Sequence, residues 1–184
     1  MTRQNWAIVI LFLSALGAWR YFSTDEPVVS SASVEYQPDF TAEVLHSVEY
    51  NTDGKIVRRT FADKMEHYSE LGMTMFTNPV IILYGEDAAV TWKIQSKEGV
   101  FTNDDEATLS EDVIIKNMKP NDYIDVISTS YLKLNLENGA IRSDKLITIS
   151  GNLFNQTGVG LEGDFNTQYM SILKQVKAIY TNDK

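Results

Sequence analysis

The chain has 184 residues, of which 43% are hydrophobic and 11% aromatic, with a formal net charge of −9 and no cysteine. This length suits one domain with an appendage, and the acidic balance argues against nucleic acid as a partner, because binding to phosphates needs a basic face. The lack of cysteine excludes disulfides, zinc–thiolate sites and cysteine nucleophiles.

A long apolar segment opens the chain. Residues 6–19 form an uncharged run whose length is typical of a signal-peptide core, and the small residues Ala15 and Gly17 resemble a cleavage site. The flanking Trp and Tyr residues instead favour a membrane-spanning helix, because these side chains concentrate at membrane interfaces. A helix over residues 4–22 would reach about 28 Å, close to a hydrocarbon core of about 30 Å. We therefore predict an anchor over residues 1–23, with cleavage as the alternative.

Charges around this segment indicate its orientation. Arg3 precedes it and two acidic residues soon follow it, so the positive-inside rule places the N-terminus in the cytoplasm and the body outside. Within the segment, Ser14 and Ala18 are small residues four apart, a spacing that would let a partner helix approach closely, although plain lipid contact explains them equally well. Residues 24–40 contain Pro and Ser and are predicted to form an extended linker.

Turn signals divide the rest of the chain into short strands. Asp53-Gly54 and Asn138-Gly139 each separate two strand-like stretches, which is the pattern of a β-hairpin. Residues 169–180 are predicted to be a strand rather than a short helix, because Ile, Val and Tyr recur and no clear helix N-cap precedes them.

A weak internal repeat of 34 residues supports a β-rich body. A period of 34 also suits helical tetratricopeptide repeats, but here the segments are β-branched and alternate by two. Residues 41–184 are therefore predicted to form an all-β antiparallel domain, as a sandwich, a barrel or a jelly roll.

The sequence contains no recognisable catalytic constellation. His46 and His67 fall in strand-like runs without a flanking motif. The cluster at residues 103–106 has calcium-ligand chemistry, but between strands such a cluster is more often a solvated turn. We expect no enzyme activity, no metal and no cofactor. The remaining functions of such a sheet are to hold an apolar ligand in its interior or to accept another strand at its edge.

Four stretches of the chain resemble the LptC family of lipopolysaccharide export, and they occur in the family's order. They are FTNPV (76–80), TWKIQSKEGVFTND (91–104), ISGNLFNQTG (149–158) and GLEGDF (160–165). The resemblance covers nearly the whole chain. It implies a twisted open antiparallel β-jelly roll preceded by a single N-terminal transmembrane helix, with the helix in the cell inner membrane and the body in the periplasm.

The resemblance also implies a function. Proteins of this family accept lipopolysaccharide from the LptBFG ABC transporter into an apolar groove and pass it to periplasmic LptA. The N-terminal helix and the first strand would meet the transporter, and the edge of the last strand would meet LptA. The alternatives are a soluble LptA-like periplasmic carrier and a tethered assembly protein that conducts no lipid.

Several residue roles follow from the resemblance. Phe76 matches the family position expected to face the groove, Leu45 lies at the receiving end, and Met170 and Tyr180 lie at the releasing end. Gly151 matches a family glycine near the last strands, where a side chain would obstruct a close backbone approach.

Period-two alternation in the strands adds a second set of residues. Ordinary core packing explains these residues as well as lipid contact does. The lining predicted from alternation is Trp92, Ile94, Leu132, Leu134 and Val176.

The expected partner contacts are Ser14, Ala18, Val44, Val48, Gly151, Ile172 and Ala178.

Overall fold

The structure is a computed structural model, and it describes residues 12–20, 36–103, 105–120 and 122–180. Two compact units make up the chain, Met1–Glu35 and Tyr36–Lys184.

The first unit contains a helix, α1, over residues 12–20. In the described part of the chain, no helix combines the length and the apolar character needed to cross a membrane. The remainder of the predicted anchor, residues 1–11 and 21–23, lies outside the described residues. The same holds for residues 24–35 of the predicted linker.

The described residues of the second unit form eleven strands, joined by turns and short loops. Their bounds are β1 Phe40–Tyr50, β2 Ile56–Tyr68, β3 Met73–Thr77, β4 Val80–Tyr84, β5 Val90–Gln95, β6 Glu98–Thr102, β7 Glu106–Asn117, β8 Val126–Asn135, β9 Ala140–Ser150, β10 Phe154–Asp164 and β11 Tyr169–Tyr180.

Two pairs of short strands split the sheet into two layers. The first half of β2 pairs with β4 and its second half with β3. The first half of β7 pairs with β6 and its second half pairs with β5. Layer 1 therefore contains β4 and β5, layer 2 contains β3 and β6, and the long strands contribute one half to each layer. Every pairing is antiparallel, and β8, β9, β10 and β11 follow β7 in order.

The long strands bend along one line that crosses the sheet. Val44 in β1, Glu111 and Asp112 in β7, Gly160 in β10 and Gln175 in β11 have positive φ angles. Register shifts interrupt the β7–β8, β8–β9, β9–β10 and β10–β11 ladders along the same line. Such bulges bend a strand locally. The two halves of each strand can therefore belong to layers that face each other.

One hydrophobic core fills the centre of the space between the layers. In β8 the buried residues alternate with partly exposed ones until the bend, after which the opposite parity is buried. Burying each Leu or Ile side chain fully stabilises the folded state by about 1.5–3 kcal/mol relative to leaving it exposed. The core includes Ile81, Trp92, Ile94, Ile115 and Ile127 from layer 1, and Leu109, Leu132, Leu134 and Leu161 from layer 2.

The all-β, antiparallel body and both hairpins are confirmed. Gly54 and Gly139 have φ angles of 77° and 75°, as tight hairpin turns require. Residues 169–180 form strand β11, as predicted. Of the three arrangements left open by the sequence, the structure has the jelly-roll-like one, because bent strands place both halves around one core.

Candidate functional site

A cavity beside β1, the Phe76 cavity, lies between the two layers and has a volume of about 190 Å³. Phe76 of β3 packs against Phe101 of β6, with ring centroids 4.5 Å apart. Leu45 of β1 and Met65 of β2 complete its apolar wall. The cavity is smaller than most small-molecule pockets, which measure about 300–1,000 Å³, and its apolar wall suits a hydrocarbon chain.

A second cavity, the Phe165 cavity, has a volume of about 360 Å³ and includes Leu83, Leu134 and Phe165 in its lining. Glu49 and Arg58 line both cavities. These two side chains form an ion pair. The pair therefore stands at the boundary between the two cavities.

The structure brings two of the predicted groove residues together. Leu45 and Phe76, which are 31 positions apart in the sequence, line the same cavity. Met170 is half-buried and packs against the core, whereas Tyr180 ends β11 with 71% of its surface exposed. Contact of all four residues with lipid stays a prediction.

The residues predicted from alternation fall into two groups. Trp92, Ile94, Leu132 and Leu134 are at most 2% exposed and belong to the packed core. Leu134 also lines the Phe165 cavity. Val176 lies outside the core and is 55% exposed, because all of β11 from residue 173 onward is exposed. Core packing therefore accounts for the first four residues in this conformation, and their lipid contact stays a prediction.

The two outermost strands each pair with one described strand. Strand β1 pairs with β2, and β11 pairs with β10, so each leaves a row of backbone N–H and C=O groups on its outer side. On β1, Val44 and Val48 are 73% and 43% exposed. On β11, Ala178 is exposed while Ile172 is half-buried against the core. These edges have the form that β-augmentation needs.

Gly151 lies in the turn between β9 and β10, where its backbone N–H donates to the carbonyl of Phe154 at 2.9 Å. A Cβ atom at this position would come within 2.0 Å of the Tyr123 carbonyl oxygen and 2.5 Å of the Phe154 ring. The predicted close backbone approach is therefore present. A role of Gly151 in partner binding stays a prediction.

Ser14 and Ala18 both lie on α1 and are exposed. Their spacing of four residues places them on one face of the helix. Their contact with a partner helix stays a prediction.

Two lysines outside the cavities form solvated ion pairs with acidic side chains. Lys133 donates to Glu106 at 2.6 Å, and this hydrogen bond raises the pKa of the lysine. Lys97 lies 2.6 Å from Asp112, whose hydrogen bond raises the pKa of Lys97 in the same way. The Lys133 pair borders a groove of about 1010 Å³ on the face of β8 and β9 that points away from the core.

The two histidines make ordinary structural contacts. His67 Nδ1 lies 2.9 Å from Thr74 Oγ1, and the ring of His46 meets the edge of Phe61 at 4.9 Å between centroids. Among the described residues, no group of three or more metal-ligating side chains comes together. The arrangement offers an apolar interior and open strand edges.

Sequence reasoning missed the pair of Glu49 and Arg58. A regular hairpin that pairs Tyr50 with Ile56 would place Glu49 opposite Val57. A register shift at Glu49 instead places it opposite Arg58. The Asn51–Lys55 turn is the sequence signal for this hairpin. The length of its loop does not show that a bulge shifts the strand register next to it.

Several curated proteins are similar to this chain over nearly its full length. Lipopolysaccharide export system protein LptC of Escherichia coli K12 is 24% identical over 178 residues, which cover 96% of this chain and 93% of the relative. Lipopolysaccharide export system protein LptC of Haemophilus influenzae is 26% identical over 201 residues, which cover 99% of this chain and 96% of the relative.

A solved structure supports the fold. LptH, the LptA-homologous periplasmic component of the lipopolysaccharide transport device of Pseudomonas aeruginosa, superposes with a TM-score of 0.53 at 10% identity, over 68% of this chain and 95% of LptH. The family model described as "Lipopolysaccharide-assembly, LptC-related" matches residues 6–181. The chain therefore belongs to the LptC-related family of lipopolysaccharide-assembly proteins.

Proposed function

We propose that this protein is the single-pass inner-membrane component of a lipopolysaccharide transport bridge. It accepts lipopolysaccharide from the LptBFG transporter into the space between its two layers and passes it to periplasmic LptA. The domain itself needs no catalytic residue, because the transporter supplies the energy.

The observation that carries this proposal is the Phe76 cavity. Its apolar wall lies beside β1, whose outer side pairs with no other described strand. Burying an acyl chain is worth about 0.8 kcal/mol per CH₂ group, so a lipid crossing water needs such a lining. Hydrocarbon side chains hold acyl chains without directional bonds, which allows the lipid to slide.

The two free edges support the proposed partners. Strand β1 would extend a sheet of the transporter, and β11 would receive a strand of LptA. Such contacts use main-chain hydrogen bonds, with exposed side chains such as Val44 and Ala178 adding apolar contact.

The proposed inner-membrane location rests on residues 1–23 acting as an uncleaved anchor. Sequencing the N-terminus of the mature protein tests it. A start at Met1 or Thr2 supports the anchor, whereas a start near Ala18 would identify a soluble LptA-like carrier instead.

A photo-crosslinking amino acid at Phe76 tests the conduit. The proposal predicts that it captures lipopolysaccharide in cells, whereas the same group at Tyr123, an aromatic residue that is 85% exposed, captures far less. Equal capture at the two positions would contradict a specific groove.

The packed core favours one alternative, a tethered assembly protein that joins partners through its edges. Ile81, Ile94 and Ile115 have no exposed surface, so lipid passage requires the layers to separate. Capture of protein but no lipid at Phe76 would support this alternative.

A further inference from the structure

Arg58 is an unusual residue for the interior of a lipid-binding domain. Its side chain is 14% exposed and lines both the Phe76 and the Phe165 cavity. Among the described residues that line these two cavities, Arg58 is the one cation, while Glu49 and Glu137 are the acids. A buried charge must keep a partner, because leaving it unpaired is costly.

The contacts of Arg58 reach a neighbouring strand and the loop after β8. Glu49 of β1 is its register partner at the bulge and accepts a hydrogen bond from Arg58 Nη2. The other terminal nitrogen, Nη1, donates to the carbonyl oxygen of Leu136 at 3.5 Å, just beyond β8. Arg58 belongs to layer 1 and Leu136 follows the layer 2 half of β8. The guanidinium therefore links the two layers at the boundary between the cavities.

Glu49 is the more exposed member of its ion pair with Arg58. The side chain of Glu49 is 50% exposed, so it can turn into water at little cost once another anion takes its place. A phosphate group matches the planar fork of a guanidinium and forms two charge-assisted hydrogen bonds with it. The exchange would keep Arg58 paired.

We propose that Arg58 binds a phosphate group of a lipid, one acyl chain of which enters the Phe76 cavity. The phosphate replaces Glu49 as the partner of Arg58. The guanidinium then leaves the Leu136 carbonyl, and the two cavities join into one groove. This inference rests on the proposed lipid-conducting function and adds the chemical group that is recognised.

The test uses the full chain with the crosslinker at Phe76, presented with the lipid A part of lipopolysaccharide or the same lipid after phosphatase treatment. With Arg58 in place, the protein should capture the phosphorylated lipid about tenfold more efficiently than the dephosphorylated lipid. A ratio of about tenfold corresponds to the free energy of one charge-assisted hydrogen bond. Arg58→Met should remove this preference while still capturing the dephosphorylated lipid. Arg142→Met is the matched control, because Arg142 pairs with Glu162 at 3.6 Å and is 73% exposed on the outer face. It should keep the wild-type preference.

Glu49→Gln gives a result in the opposite direction. This variant removes the competing carboxylate, so capture of the phosphorylated lipid should rise, and a single cooperative unfolding transition shows that the domain is still folded. A preference for phosphate that persists in Arg58→Met, or no preference in the wild type, would overturn the role of Arg58 and leave the conduit standing. Capture of neither lipid by the wild type would overturn both.

Inorganic phosphate distinguishes a lipid headgroup from a free anion. Without acyl chains it should compete with lipid only at a large excess. Displacement of the lipid at equal concentration would assign the site to free phosphate and overturn the lipid headgroup as its ligand.

Discussion

Trp92 of β5 packs against Phe165 of the turn between β10 and β11, with ring centroids 5.1 Å apart and an angle of 44° between the planes. The two residues come from opposite layers and are both nearly fully buried. The contact therefore joins the layers at the centre of the domain, and lipid passing between the layers would have to part it.

Removing the Trp92 side chain should destabilise the domain strongly. Trp92→Ala leaves a cavity in the core and should lower the free energy of unfolding by about 3–5 kcal/mol, measured by urea denaturation. Trp92→Phe is the control. The indole N–H has no hydrogen-bond partner among the described residues, and Phe leaves a smaller cavity than Ala does, so Trp92→Phe should cost clearly less than Trp92→Ala. Equal losses in the two variants would contradict this packing role.

A side chain at position 151 should also destabilise the domain. Gly151→Ala forces the Tyr123 loop to move, because the new Cβ would lie 2.0 Å from the Tyr123 carbonyl oxygen. We expect a loss of about 1–3 kcal/mol, the usual cost of overpacking, in the same denaturation experiment. Gly54→Ala provides the comparison, since nothing lies within 4 Å of its Cβ and only the strain of its positive φ remains. A smaller effect at Gly151 than at Gly54 would argue against the close approach.

Ending the chain after Ile172 should abolish binding of LptA without unfolding the domain. The truncation removes the exposed half of β11 but keeps Met170 and Ile172, which pack against the core. Calorimetry with purified LptA measures binding, and circular dichroism measures the fold. A chain ending after Tyr180 should bind normally. Normal binding by the shorter chain would show that the wrong edge was assigned.

Asp39 should make stability depend on acid pH. Its carboxylate accepts a hydrogen bond from the backbone N–H of Ser69 at 2.7 Å, and this hydrogen bond lowers the pKa of Asp39 below the ordinary value of 3.8 for an aspartate. The stabilisation is therefore complete above the unfolded pKa and is lost as the pH falls through the lower folded pKa. The stability difference between the wild type and Asp39→Asn should be constant near neutral pH and shrink below about pH 4. A difference that is independent of pH down to pH 2 would contradict this.

Local signals were enough to predict the strands and the turns. Asn138-Gly139 and Asp53-Gly54 predicted hairpins because few other residues accept their φ angles. The alternation through Leu132 and Leu134 predicted a face of β8 that is in fact buried.

The site was less predictable, because it depends on how the layers face each other. Alternation distinguishes inside from outside, but it cannot separate a core residue such as Ile94 from a cavity residue such as Phe76. The bulge that places Glu49 opposite Arg58 is a shift in strand register, and no residue pattern in this hairpin predicts it.

The two outermost strands of the described sheet carry opposite charges. Strand β1 contains Glu43 and Glu49 and no Lys or Arg, whereas β11 contains Lys174 and Lys177 and no Asp or Glu. Two β1 edges or two β11 edges brought together would repel, while a β11 edge meeting an acidic edge like β1 would be attracted. The charges of these two edges would therefore favour head-to-tail over head-to-head contact between copies of this domain, and salt would weaken that preference.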